Sequence, residues 1–358
     1  MIFLVFGCKK EEKTIEIIDT PTLENIKTHK WYYFTSQGFS EVENIASIPR
    51  VLEKPWTETV RISKALTINN QVYFAVNRKG LLICQDDFKS FKTDDNLFLD
   101  NTIGTFLVYN DFPIIHVYKN NIFNKSKTEN NSVLIQYNQN SNLFYPLLQK
   151  KDLSLDISEE VVSASFINDA FVFSTKLSDN KTTTFNYYKL PLEQEGYFTL
   201  SQSELSAQKF SATDFRETLE PATFEKAPSR LQNLLKVIPK DFSFMLHTQK
   251  NDGTVVEFLQ QKNLDSSLQE AYAYLGDTYT AALFPDGTFY FAGALEKKHI
   301  LKNGEPISMR FPKLPKGYKY TSFGISGTKL YCGFEEYNFY KTGISGFLEV
   351  NLEETLYK

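Results

Sequence analysis

Apolar and polar positions along this chain follow one recurring arrangement: an apolar run, a short polar turn, then a second apolar or aromatic run. The instances are "ALTINNQVYFAV", "FLVYNDFPIIHV", "ASFINDAFVFS", "AALFPDGTFYFAG" and "FGISGTKLYCGF", starting at Ala65, Phe106, Ala164, Ala281 and Phe323. Short runs rich in β-branched and aromatic residues, bounded by Asn, Asp and Gly, predict paired strands. Asn110-Asp111, Asn168-Asp169 and Asp286-Gly287 suit the connecting turns because these residues tolerate positive φ.

Further strand-like runs follow most of these pairs, among them "GLLICQ", "SVLIQY", "LFYPLL", "TTFNYYKL", "GYFTLS" and "HILKNGEPISMRF", where Asn303-Gly304 is a hairpin signal. "FSFMLHTQKNDGTVVEFLQQ" adds another pair around Asn251-Asp252-Gly253. One segment breaks the rhythm. "SRLQNLLKVIP" places Leu231, Leu234, Leu235 and Ile238 at helical spacing between Ser229 as N-cap and Pro239 as stop, which predicts a short amphipathic helix.

Units of four antiparallel strands, spaced by about 40 to 50 residues, resemble the blades of a β-propeller. The resemblance is to the fold in general, because no Trp-Asp repeat, Gly-Gly kelch pattern or Ser-x-Asp-x-Gly-x-x-Trp box is present. It implies an all-β domain over residues 30–358, with six blades, or seven, and a helical insertion at about 203–240. Small residues early in the first strands (Ala65, Ser163, Ala164, Ala281, Ala282) fit innermost strands crowded around an axis. "KWYYFTSQGFSEVENI" has no partner hairpin of its own, so it is expected to pair with the last unit and close the ring.

The chain opens "MIFLVFGCKKEEK". Val5, Phe6 and Gly7 before Cys8 resemble the lipobox of bacterial lipoproteins, a family in which the cysteine sulfur is diacylglycerated and becomes the mature N-terminus. Gly7 is the small residue that pattern wants, and Phe6 is bulkier than its strict form. The resemblance implies a signal-like segment at 1–8, lipidation at Cys8 and a charged tether at 9–29. With seven residues before Cys8 and no Lys or Arg among them, the start codon is expected to lie upstream. The competing reading of Ile2–Phe6 is a first β-strand with a core cysteine.

Composition narrows the chemistry. A formal charge of -4 gives no support for a nucleic-acid partner, and 42% apolar with 23% charged residues is the balance of an ordinary globular chain. No segment is apolar enough for a transmembrane helix, which would leave the lipid as the anchor. The remaining cysteines, Cys84 and Cys332, lie in apolar strand-like runs and read as small buried hydrophobes, with a disulfide between them left open. His29, His116, His247 and His299 form no HxH or HExxH pair, so no metal or cofactor is expected. The carboxylate pairs Asp86-Asp87, Asp94-Asp95, Glu159-Glu160 and Glu335-Glu336 are adjacent in sequence, and neighbours on a strand point to opposite faces. Solvated loop charge is the expected reading for them.

Aromatic density gives the remaining signal, in "WYYF" at Trp31–Phe34, "FNYY" at Phe185–Tyr188 and "EEYNFYKTG". Core packing is the first reading of such rings, and the mixed charge and aromatics of the last segment nominate Glu335, Glu336, Tyr337, Phe339 and Tyr340 as ligand-facing. These features lead to an expected function: an envelope lipoprotein on the periplasmic or outer-membrane surface, a monomeric, non-catalytic binding or scaffold module for a protein or glycan. The alternative is a carbohydrate-active hydrolase or lyase using acidic loop residues at the propeller axis.

Overall fold

The computed structural model describes residues 29–35, 38–48, 62–85, 87–98, 101–109, 111–119, 132–149, 159–167, 170–178, 183–191, 208–210, 242–248, 255–261, 270–275, 279–284, 287–295, 299–300, 307–336 and 344–352. Cys8, the helix expected around Leu231 and the residues Tyr337, Phe339 and Tyr340 lie outside them.

The described chain is all-β, arranged as antiparallel sheets that follow the sequence. Strands β1 (His29–Thr35) and β2 (Gly38–Val42) are followed by a sheet of β3 (Ile62–Ile68), β4 (Gln71–Val76), β5 (Gly80–Gln85) and β6 (Phe88–Lys92). The next sheet holds β7 (Asn101–Tyr109), β8 (Phe112–Lys119), β9 (Ser132–Asn138) and β10 (Leu143–Gln149). A third contains β11 (Glu159–Ile167), β12 (Ala170–Ser178), β13 (Thr183–Pro191) and β14 (Gln208–Phe210). A longer ladder runs through β15 (Phe242–Thr248), β16 (Val255–Gln261), β17 (Glu270–Leu275), β18 (Tyr279–Leu283) and β19 (Thr288–Leu295), with β20 (His299–Ile300) and β21 (Ile307–Arg310) on the edge of β19. The last sheet is ordered β2-β1-β24-β23-β22, where β22 is Tyr318–Ser326, β23 is Lys329–Glu336 and β24 is Ser345–Asn351.

All five expected strand pairs form antiparallel ladders: β3 with β4, β7 with β8, β11 with β12, β18 with β19, and β22 with β23. Asn69 and Asn70 supply the turn between β3 and β4 with φ of 48° and 61°, the two left-handed positions of a type I′ hairpin. Two expectations change. The expected units at Phe242 and Ala281 share one ladder, because β17 pairs with both β16 and β18. Asn303-Gly304 lies outside the described residues, and the described strands on either side of it, β20 and β21, both pair with β19 and not with each other.

A register shift recurs in four of the first strands, between Ile62 and Lys64 in β3, Ile103 and Thr105 in β7, Val161 and Ser163 in β11, and Tyr320 and Phe323 in β22. Each bulge bends its strand at a matching place ahead of the turn, so these sheets repeat one backbone plan. These strands are also neighbours in space: β22 lies against β3, β3 against β7, β7 against β11, and β11 against β15, while β17 and β18 lie against β22.

Period-2 alternation explains the cores. Along β4, Val72, Phe74 and Val76 join one cluster with Phe34, Leu82 and Phe347, while Tyr73 and Ala75 join another with Phe98, Phe106 and Ile135. A sheet covered on both faces needs apolar residues at every position, which is why "QVYFAV" and "GLLICQ" read as unbroken apolar runs. The last sheet is covered in the same way. Trp31, Phe334 and Leu348 pack toward Phe289 and Met309 on one side, and Tyr32, Tyr331 and Phe347 face the β3–β6 sheet on the other. The aromatics of "WYYF" are thereby accounted for by packing, with Trp31, Tyr32 and Phe34 all buried.

Candidate functional site

The sequence-nominated site is only partly within the described strands. Glu335 sits opposite Lys319 across β22 and β23, with its carboxylate 3.4 Å from the ammonium. Glu336 points to the other face and is buried, and its backbone N–H donates to the Ile344 carbonyl at 2.8 Å. The two carboxylates therefore do not converge. Asp94 is likewise structural: its Oδ1 accepts from the backbone N–H groups of Asn96 and Leu97, capping the single-turn helix Asp95–Phe98.

A denser cluster joins the β3–β6 sheet to the last sheet. In β24, Phe347 and Glu349 lie two apart and share a face. Tyr32 of β1 stands opposite Phe347, and Tyr331 of β23 stands opposite Glu349, so three neighbouring strands put Tyr32, Phe347, Glu349 and Tyr331 on one surface. From the facing sheet, Lys89 of β6 stands opposite Cys84 and enters that surface. Its ammonium lies 5.0 Å from the Tyr32 ring centroid and 5.9 Å from that of Tyr331, and pairs with Glu349 Oε2.

Burial separates this pair from ordinary surface charge. The Lys89 and Glu349 side chains are 12% and 9% exposed, whereas the nearby Lys30–Glu41 pair is 53% and 52% exposed. Removing one partner of a buried pair leaves an uncompensated charge, which costs about 3–5 kcal/mol; an exposed pair contributes about 0–1 kcal/mol. Glu349 Oε1 is also 3.5 Å from Lys329, whose ammonium donates to Asp87 Oδ1 at 2.6 Å. The hydrogen bond from Lys329, together with its charge, holds the exposed Asp87 carboxyl below its usual range.

The same surroundings act on neutral groups. Burial first, then the charges of Glu349 and Glu41, push the Tyr32 phenol above its ordinary value, and its hydroxyl donates to Glu41 Oε2 at 3.3 Å. Burial pushes the Cys84 thiol up as well, with Lys89 opposing it. Cys84 and Cys332 are both free and buried, in different clusters, so the disulfide left open by the sequence is not formed. His116 is buried within β8. Among the described residues no His, Cys, Asp and Glu side chains are grouped to hold a metal, and no helix is long and apolar enough to cross a membrane.

Sequence reading missed Lys89 and Glu349. The signal was present in "GFLEVN": Glu349 falls in phase with Phe347, a charge at a core position of an otherwise apolar strand. Lys89, in "FKSFK", belongs to an edge strand where lysine is unremarkable, and only the facing sheet reveals its burial.

A family model described as "Family of unknown function (DUF8086)" matches residues 20–354. None of the curated proteins matches the chain. Among solved structures, the computationally designed Ika8 protein is 9% identical, with 81% of this chain and 96% of that one covered and a TM-score of 0.29. The β-propeller domain of Nup133 from Vanderwaltozyma polyspora is 10% identical, with 87% and 76% covered and a TM-score of 0.29. Overlaps this loose transfer neither architecture nor function.

Proposed function

The chain belongs to DUF8086, a family of unknown function, and we propose that it is a lipid-anchored, non-catalytic binding module of the bacterial envelope built as a β-propeller. One observation supports the architecture: β22, β3, β7, β11 and β15 lie side by side in turn, β17 and β18 return to β22, and the first and last described strands share a sheet, with His29 opposite Val350. A ring closed in this way has no free seam between its first and last blades, and its loops crowd around one axis, the layout of a docking surface.

Two further features support the reading. The carboxylates of Glu335, Glu349 and Asp87 are neutralised by lysines within the fold rather than held as a facing acid and base pair. The lipobox-like Phe6-Gly7-Cys8 would place the anchor at Cys8, ahead of the tether of residues 9–29. Fully extended, a tether of that length reaches about 70 Å, enough to hold the body clear of a bilayer surface.

The test combines anchor and partner. The full chain and a Cys8→Ser variant are expressed in a bacterial host with an alkynyl fatty acid, and complexes are recovered from membranes in mild detergent. The expected result is label on the wild type alone and a co-purifying envelope protein or glycan. Absence of label, with turnover of a glycan panel by the purified chain, would replace this reading with the hydrolase or lyase.

A further inference from the structure

Lys89 is an ammonium held in a built receptor. Tyr32 and Tyr331 place their rings 5.0 and 5.9 Å from its nitrogen, and Glu349 supplies the counter-charge. The receptor is assembled wholly from the last sheet, on β1, β23 and β24, while its occupant comes from β6 of the facing sheet. Tyr331 is fully buried, and Tyr32 is fixed by its stack on Phe347, so the rings are set by packing independently of the lysine. Two aromatic faces and a carboxylate, shielded from bulk water, form the arrangement that recognises an organic cation, because ring quadrupoles and Coulomb attraction both strengthen on desolvation.

We propose that Tyr32, Tyr331 and Glu349 form a binding site for a primary alkylammonium group, filled in this chain by Lys89 as a tethered ligand that latches the β3–β6 sheet onto the last sheet. Lys329 approaches the other Glu349 oxygen, Oε1, at 3.5 Å and is held on its far side by the exposed Asp87, so Oε2 is the oxygen that faces Lys89. The proposal does not depend on a lipid anchor or on the identity of any partner.

Lys89→Ala removes the ligand from Cγ to Nζ, a fragment that propylammonium replaces atom for atom. Thermal unfolding of the full-length variant is followed against propylammonium chloride, with sodium chloride and n-propanol as matched controls. The variant should melt at least about 5 °C below the wild type, and propylammonium alone should raise its Tm in a saturable way. The preference for propylammonium should vanish in a Lys89→Ala, Glu349→Gln double variant. Equal responses to the three solutes would overturn the proposal.

Should the variants not fold, the wild-type chain gives the answer through acetylation with limiting acetic anhydride, mapped by peptide mass. A ligand buried in its receptor should react at least about tenfold more slowly at Lys89 than at Lys30. Comparable rates at the two lysines would overturn the proposal equally.

Discussion

Tyr32, in the first described strand, stacks on Phe347 in the last, with ring centroids 4.7 Å apart and planes 14° from parallel. Phe347 also meets Phe74 of the β3–β6 sheet at 5.7 Å, so one ring touches both β1 and the facing sheet. Phe347→Ala should therefore destabilise the chain by about 3–5 kcal/mol. Phe88→Ala, at a ring 58% exposed, should stay within about 0.5 kcal/mol. Denaturant unfolding of the two variants checks the contrast, and equal effects would contradict the packing at Phe347.

The close approach of β1 to β24 depends on a glycine. A Cβ at Gly346 would collide with the Tyr32 carbonyl oxygen and crowd the Phe334 ring, whereas a Cβ at Gly38 would meet nothing within 4 Å. Gly346→Ala should cost about 3 kcal/mol or more by forcing the strands apart. Gly38→Ala, at φ +134°, should carry backbone strain alone, about 1–3 kcal/mol. Thermal melts of the paired variants measure the difference.

Stability should fall on the alkaline side. Burial raises the Cys84 and Cys332 thiols above 9.0 and pushes the Tyr73 phenol from 10.0 up to about 12. An acid whose folded pKa lies above its unfolded one keeps its proton in the fold after the unfolded chain has released it. Stability is then fully present below the unfolded pKa and drains away as pH rises toward the folded one. The loss should begin near pH 9, and the Tyr73 part, on the order of 2 kcal/mol, should fall between about pH 10 and 12. Tyr73→Phe should flatten the curve in that upper window when urea midpoints are followed against pH.

The two buried thiols also make a simple probe. Native chain treated with a thiol reagent should leave Cys84 and Cys332 unmodified, and both should react together on unfolding, because neither is paired and neither reaches solvent. Peptide mapping after labelling checks this. Rapid native labelling of Cys84 would show that the seam between first and last sheets opens readily.

Strand pairing was legible because it is local: each hairpin carries its own alternation and turn residues, as "ALTINNQVYFAV" does with Asn69 and Asn70 at positive φ. The pairing of β1 with β24 was legible for another reason, since a strand-like segment without a partner must find an edge. The fusion through β17 was not, because "EAYAYL" joins two units by hydrogen bonds that leave no mark on composition. The Lys89–Glu349 contact was hidden for the same kind of reason. Each residue looks ordinary in its own strand, and only the stacking of two distant sheets takes the pair out of water.

Closure by the first strands is the central claim, and the chain lacking residues 30–45 tests it most directly. That segment contributes Trp31, Tyr32 and Phe34 to two different clusters, and each lost ring is worth about 3 kcal/mol or more. Measured by thermal unfolding, the truncated chain should melt more than about 10 °C below the full one or fail to fold cooperatively. A truncated chain that melts within about 2 °C of the full one would contradict closure.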